Sequence, residues 1–410
     1  TLFINQMQLN KLSIADVDVK DKRVFIRVDY NVPQDESGAI TNTARIDASI
    51  PTLKYCLEHG AKSLVICSHL GRPSGNGFEE KYSMKPVAAA LEKIMGMKVQ
   101  LLNDCVGEEV EKACQNPSEK LILLENVRFH KEEQDENEQD AKVIAFRQSL
   151  RKLADIYCDD AAHRAHSSMV GEFYETRCAG FLLIKEIDYF RIAVSEPKRP
   201  YLAILGGAKI SDKIKLIENL IPKVNDLIIC GGMAYSFMKQ RGMSIGRSLY
   251  DKNAATIVPR ILELAKEHKV NIHLPIDYVI ADDFKNDANI KIITEAEGIP
   301  EGWEGLDIGP KSREIFKNII LASKTVMWNG PAGVFEMESF KHGTYALVEA
   351  CVEATKHGVI TIIGGGDSAT AVKKAKATEK MSHCSTGGGA AIELLQGEIL
   401  PGVARLCDKK

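Results

Sequence analysis

Short apolar, β-branched runs recur along this chain with helix-period segments between them, and that alternation restricts the fold more than any other feature. The runs are Arg23–Val28, Ser63–Cys67, Leu121–Leu124, Tyr201–Leu205, Asp226–Cys230, Thr325–Trp328 and Val359–Ile363. Alternation of this kind predicts an α/β fold, with parallel sheets flanked by helices on both faces. At 410 residues the chain is long enough for two domains, each with its own core. Each run ends in polar residues or glycine, and open α/β sheets bind ligands at the carboxyl ends of their strands.

The last run leads into Gly364-Gly365-Gly366-Asp367-Ser368-Ala369. Glycines let the backbone approach a ligand closely, and the free N–H groups of a helix's first turn seat a phosphate. A tight strand-to-helix turn requires glycine with or without a ligand. Asp367 separates the two readings, because a carboxylate aimed at a phosphate seat repels it unless a cation intervenes; a Mg²⁺-nucleotide is therefore expected, with Asp367 as the metal contact.

The two halves end their runs differently. In the first half the ends carry Asp29 and Asn31 with Arg45 beyond, then His69 and Arg72, then Arg128 and His130, with His163 and Arg164 later. Guanidinium groups bind carboxylate and phosphate in bidentate fashion, so this basic cup suits a small polyanion. In the second half the ends are Gly206-Gly207, Gly231-Gly232, Asn329-Gly330-Pro331 through Glu336, the triple glycine, and Gly387-Gly388-Gly389. Lys209 and Lys213 lie four residues apart, so a helix starting after Gly207 would carry both on one face, placed to hold an anion. The acidic stretch Lys131 to Asp140 has no apolar period and is expected to be a solvated loop. From Phe181 to Ser195 a helical pattern runs into Pro197 and Pro200, marking a domain junction.

Lys and Arg total 53 against 56 Asp and Glu, a balance that gives no support for nucleic-acid or membrane binding. The ten cysteines show no C-x-x-C pair and no metal-ligand spacing. They are expected to be reduced core thiols in a cytoplasmic protein, since no targeting segment or long apolar stretch is evident.

Gly364 to Ala369 also fits G-x-G-x-x-A, which leaves a nicotinamide-dependent oxidoreductase open, although that fingerprint wants an acidic residue at the end of the next strand. A catalytically silent binding protein is a further alternative. A Walker P-loop and the protein-kinase signatures are absent, so phosphoryl transfer would use another scaffold.

Taken in order, Arg27-Val28-Asp29-Tyr30-Asn31-Val32-Pro33, Ser68 to Pro73, Leu124 to His130, Ala162 to Ser168, Leu205 to Lys213, Trp328 to Glu336, Ile362 to Asp367 and Ser385 to Ala390 closely resemble the phosphoglycerate kinase family over essentially the whole chain. The resemblance implies two Rossmann-like domains joined by a central helix. Residues 1–180 would bind phosphoglycerate, 181–196 would be the interdomain helix and 197–396 would bind nucleotide. The tail 397–410 would pack back on the first domain. Asp29, Asn31, Arg45, His69, Arg72, Arg128, His163 and Arg164 would hold 3-phosphoglycerate or 1,3-bisphosphoglycerate. Gly206, Gly207, Lys209, Lys213, Gly231, Gly232, Gly305, Leu306, Asn329, Pro331, Glu336, Gly364, Gly365, Gly366, Asp367 and Ser368 would serve ADP or ATP with Mg²⁺ on Asp367. Arg45, Lys213 and Lys209 would be catalytic, and the protein a monomer closing about Phe181–Ser195 and Gln396–Pro401. Two departures stand out: Asp159-Asp160-Ala161-Ala162-His163-Arg164 lacks the Phe-Gly-Thr that family members usually carry before Ala-His-Arg, and Ser368 replaces the usual threonine.

Overall fold

The computed structural model describes residues 10–135, 137–161, 170–195, 197–385, 393–398 and 400–409. The chain divides into two compact units, Thr1–Asp188 with Ile399–Lys410, and Tyr189–Glu398. The division falls inside the helix Phe181–Ser195.

The strands of the first unit are β1 (Arg23–Arg27), β2 (Ser63–Cys67), β3 (Val99–Leu101), β4 (Leu121–Leu123), β5 (Ile156–Asp159) and β6 (Arg177–Ala179). They form one parallel sheet in the order β3-β4-β2-β1-β5-β6. Every residue of β2 and β4 is buried, as expected of strands covered on both faces. Val24, Ile26, Leu64, Ile66, Leu121 and Leu123 lie at the centre of this unit's core. The segment near the carboxyl end of the chain belongs to the same unit: Leu12 N–H donates to the Cys407 carbonyl at 2.7 Å, and buried Lys11 Nζ reaches Asp408 Oδ1 at 2.7 Å.

The second unit contributes β7 (Tyr201–Leu205), β8 (Asp226–Ile229), β9 (Asn271–His273), β10 (Asp277–Ala281), β11 (Ile290–Thr294), β12 (Glu304–Ile308), β13 (Thr325–Asn329), β14 (Ile360–Gly364) and β15 (His383–Cys384). Its main sheet is parallel, in the order β15-β14-β13-β7-β8-β9. Leu202, Ile204, Ile228, Val326, Trp328 and Ile363 pack in its core. A separate antiparallel sheet, β11-β10-β12, was not among the sequence expectations. Its outer strand exposes Ile290 and Ile292, so apolar content there marks a half-solvated edge rather than a buried parallel strand. Strands of two to four residues (β3, β5, β6, β9, β15) likewise have too little apolar run to stand out.

In each parallel sheet the chain begins at a central strand, fills one side (in the first sheet β3 takes the edge before β4 fills the place beside β2) and then crosses to the other. The reversals lie between β1 and β5 and between β7 and β13. At such points the loops diverge beyond the strand ends and leave a crevice for a ligand.

Candidate active site

In the first unit, Asp29 follows β1 and Arg45 lies in the first turn of the helix Ala44–Glu58. The Arg45 guanidinium donates to Asp29 Oδ2, while the other Asp29 oxygen accepts from Asn31 N–H at 3.1 Å. Asn31 Oδ1 accepts from Gly71 N–H at 2.8 Å, which ties the turn after β1 to the turn after β2. His69 is buried, with Nδ1 3.3 Å from an Arg27 nitrogen, and Arg72 is exposed. Arg128, in the turn Val127–Phe129 after β4, donates Nε to Glu133 Oε2 at 3.2 Å. Burial holds the Arg128 guanidinium below its usual pKa, and Glu133 offsets part of that shift. The structure thus gathers Asp29, Asn31, Arg45, His69 and Arg128 at the carboxyl ends of β1, β2 and β4. His163 and Arg164, with the motif around them, lie outside the described residues.

Glu133 corrects the expectation of a fully solvated acidic loop. Lys131–Glu133 forms a 3₁₀ turn, and Glu133 is 2% exposed, paired to both Arg128 and the buried Arg27. The signal was in the strand rather than in the loop: an arginine between Ile26 and Val28 requires a buried counter-ion.

In the second unit four turns meet at the ends of adjacent strands. Gly206 N–H donates to the Asn329 carbonyl at 2.9 Å, and Gly207 N–H donates to the Pro331 carbonyl at 3.2 Å. Met233 N–H, just after Gly231-Gly232, reaches the Gly207 carbonyl at 3.0 Å. Gly330 N–H donates to Ser368 Oγ at 2.6 Å, so the buried Ser368 hydroxyl braces the turn after β13. A Cβ at Gly206 would lie 2.1 Å from the Pro331 carbonyl oxygen, so no other residue permits this approach.

Lys213 and Asn329 meet inside this cluster. Lys213 Nζ donates to Asn329 Oδ1 and, at 3.3 Å, to its carbonyl. Burial pushes the Lys213 ammonium down to about 8, with Cys230, Asp367 and Asp212 partly offsetting it. Asn329 is buried, and its Nδ2 has no hydrogen-bond partner among the described residues. Gly365, with φ of 86°, lies against that amide; a Cβ there would come within 2.9 Å of Nδ2. An unpartnered buried donor beside a glycine turn calls for an acceptor. Gly366 opens the helix Gly366–Lys374, and Asp367 is exposed in its first turn. A carboxylate free to reach solvent beside such a donor fits Mg²⁺, which takes one or two protein carboxylates and completes its shell with phosphate and water.

The helix after Gly207 does not begin there: Ser211–Lys213 is a 3₁₀ turn and the α-helix runs Ile214–Leu220. Ser211 N–H is held by Asp251 at 2.9 Å, which fixes a turn where a helix was expected. Lys209 is therefore an exposed turn residue, and the helix-face pairing with Lys213 does not exist. Gly305 and Leu306 lie on β12, and the Leu306 carbonyl accepts from Val334 N–H at 2.9 Å, joining β12 to the Pro331–Glu336 segment. Glu336 is exposed. The dinucleotide fingerprint fails on its own terms, since β15 is His383–Cys384 and ends without an acid. Most of the final glycine run, residues 386–389, lies outside the described residues.

A sequence model of the family described as phosphoglycerate kinase matches residues 14–398. The phosphoglycerate kinase of Yarrowia lipolytica is 53% identical over 415 aligned residues, covering 98% of this chain and 99% of its own. That of Schistosoma mansoni is 54% identical, covering 98% of this chain and all of its own. Among solved structures, phosphoglycerate kinase from Coxiella burnetii matches with a TM-score of 0.86 at 37% identity, covering 96% of this chain and 98% of its own.

Proposed function

Because the chain belongs to the phosphoglycerate kinase family, and is by that membership a phosphotransferase, we propose that it transfers the acyl phosphate of 1,3-bisphosphoglycerate reversibly to Mg-ADP, giving 3-phosphoglycerate and Mg-ATP in glycolysis. The observation that carries this reading is the buried Asn329 Nδ2, which has no hydrogen-bond partner among the described residues and is set between Lys213 and the Gly365 turn at the β7/β13 reversal. We read it as a phosphate seat, and the basic cup of the first unit as the complementary site for phosphoglycerate. In this assignment Asp29, Asn31, Arg45, His69, Arg72 and Arg128, with His163 and Arg164, hold the three-carbon acid. Gly206, Gly207, Gly231, Gly232, Pro331, Glu336, Gly364, Gly365, Gly366 and Ser368 shape the nucleotide seat, Lys209 supports its phosphates, and Gly305 and Leu306 flank the adenine.

An acyl phosphate needs no base to activate its acceptor, so positioning and charge stabilisation suffice and no covalent intermediate forms. Arg45 and Lys213 supply cations on either side of the migrating phosphoryl group. Mg²⁺ held by Asp367 would neutralise phosphate charge. Asp367→Ala is accordingly expected to weaken Mg-ADP binding at least tenfold while leaving metal-free ADP binding little changed. Calorimetry with and without Mg²⁺ checks this, and equal losses in both would remove Asp367 from the metal.

In-line transfer brings the reacting atoms within about 3.5 Å. With acceptor and donor seats on separate units, the units must close on each other, hinging at Phe181–Ser195 and Gln396–Pro401. Each ligand alone biases closure less than the pair does. Small-angle scattering should give the smallest radius of gyration with both ligands bound; one radius for apo, singly and doubly liganded samples of active protein would contradict closure.

We place the protein in the cytoplasm as a monomer. Eight of the ten cysteines are buried thiols outside any disulfide, in keeping with a reducing compartment, and no helix among the described residues is long and apolar enough to cross a membrane.

A further inference from the structure

We propose that Asp104, Cys105 and His130 form a binding site for one transition-metal cation, zinc being the best chemical match, separate from the residues assigned to substrate. Asp104 and Cys105 follow β3, and His130 follows the Val127–Phe129 turn. A carboxylate oxygen, the Cys105 Sγ and a His130 ring nitrogen all lie within 4.8 Å of one another. His130 Nε2 is 2.7 Å from Asp104 Oδ1, and the same oxygen accepts from Cys105 N–H at 2.6 Å. The His130 ring stacks on Phe146 with centroids 5.3 Å apart, so its direction is set by packing rather than by a ligand. Tetrahedral zinc places its ligand atoms about 3.3–3.6 Å apart, so the three donors reach that geometry through shifts of about 1 Å.

The donor set decides which metal. Thiolate, imidazole and carboxylate together suit zinc and its neighbours, whereas Mg²⁺ and Ca²⁺ take all-oxygen sites. Three protein ligands with a fourth position left to water is a common zinc arrangement. Cys105 is fully buried, but the Asp104 side chain is 48% exposed and lines a cleft of about 550 Å³, so the cation enters on that side. Glu108 and Glu109 line the same cleft, and Glu132 lies near His130; these charges attract a cation to the entrance. On binding, the cation takes the place of the hydrogen between His130 and Asp104, which moves to Nδ1 in a neutral ring and leaves to solvent from a protonated one, and the Cys105 thiol proton leaves to solvent as the S–metal bond forms.

Cobalt(II) is the probe, added to the full-length protein and followed by absorption. One equivalent is expected to produce a thiolate-to-cobalt charge-transfer band with tetrahedral d–d bands, and one equivalent of zinc is expected to erase them. Cys105→Ser should abolish the charge-transfer band, and Asp104→Asn and His130→Gln should each weaken cobalt affinity at least tenfold. Asp104→Asn is nearly isosteric at a half-exposed side chain, so it remains informative if the buried Cys105 variant fails to fold. No cobalt uptake by the wild type overturns the site and leaves a plain His130–Asp104 pair. A band that persists in Cys105→Ser, or unchanged affinity in Asp104→Asn, places the metal elsewhere and overturns it equally.

Discussion

Lys213→Ala is expected to lower kcat about a hundredfold or more, a loss of transition-state stabilisation of roughly 2.7 kcal/mol. The reason is the place of this ammonium: it is held by Asn329 at the centre of four interlocked turns, where the charge of a transferring phosphoryl group would develop. Steady-state kinetics separates this from simple binding, because a raised KM with unchanged kcat would mean that Lys213 serves only the ground state. Arg45→Ala is expected to behave alike. The depressed pKa of Lys213 adds a pH signature. In the role proposed for it the cation is the active form, so kcat/KM for the nucleotide should fall as pH rises through about 8, and Lys213→Arg should lose that alkaline limb because arginine does not titrate there. The sign for stability is the reverse. A lysine whose folded pKa lies below the ordinary 10.5 opposes folding while it is charged in the native state; that penalty is full below about pH 8 and is relieved between about 8 and 10.5. Lys213→Met should therefore unfold at a higher temperature than the wild type at pH 7 while being nearly inactive, and scanning calorimetry checks it.

Glu133→Ala is expected to destabilise the first unit by about 3 kcal/mol or more. Glu133 is buried against Arg27, itself 1% exposed, and Arg128, and breaking a buried pair by removing one partner costs more than the pair contributes over an apolar replacement. Arg27 keeps the Val28 and Cys67 carbonyls, which limits the loss without removing it. Arg128 is expected to swing away from the Gly71 carbonyl once Glu133 no longer holds it, so KM for phosphoglycerate should rise together with the loss of stability. Urea unfolding monitored on the first unit, with Glu133→Gln as the shape-preserving control, tests both. A loss under about 0.5 kcal/mol in Glu133→Ala would mean that the two arginines are satisfied without it.

What could be read from the residues alone was what depends on near neighbours in the chain. The apolar runs marked β1, β2, β4, β7, β8, β13 and β14, and their glycine or polar ends marked the turns that follow those strands, because strand period and turn chemistry act over a few residues. The helix Phe181–Ser195 was legible for the same reason. Local pattern failed where a contact crossed the sheet. A helix after Gly207 suits the spacing of Lys209 and Lys213, yet the Asp251 carboxylate, 40 residues along the chain from Ser211, holds a turn there instead. Glu133 meets Arg27 across 106 residues, and His130 meets Asp104 across 26. Nothing in an acidic, aperiodic stretch distinguishes the one glutamate that becomes buried from those that stay in water. That choice belongs to the strand order β3-β4-β2-β1-β5-β6, which sets the turn after β4 one strand away from the end of β1 and so brings the Glu133 carboxylate within reach of the buried arginine.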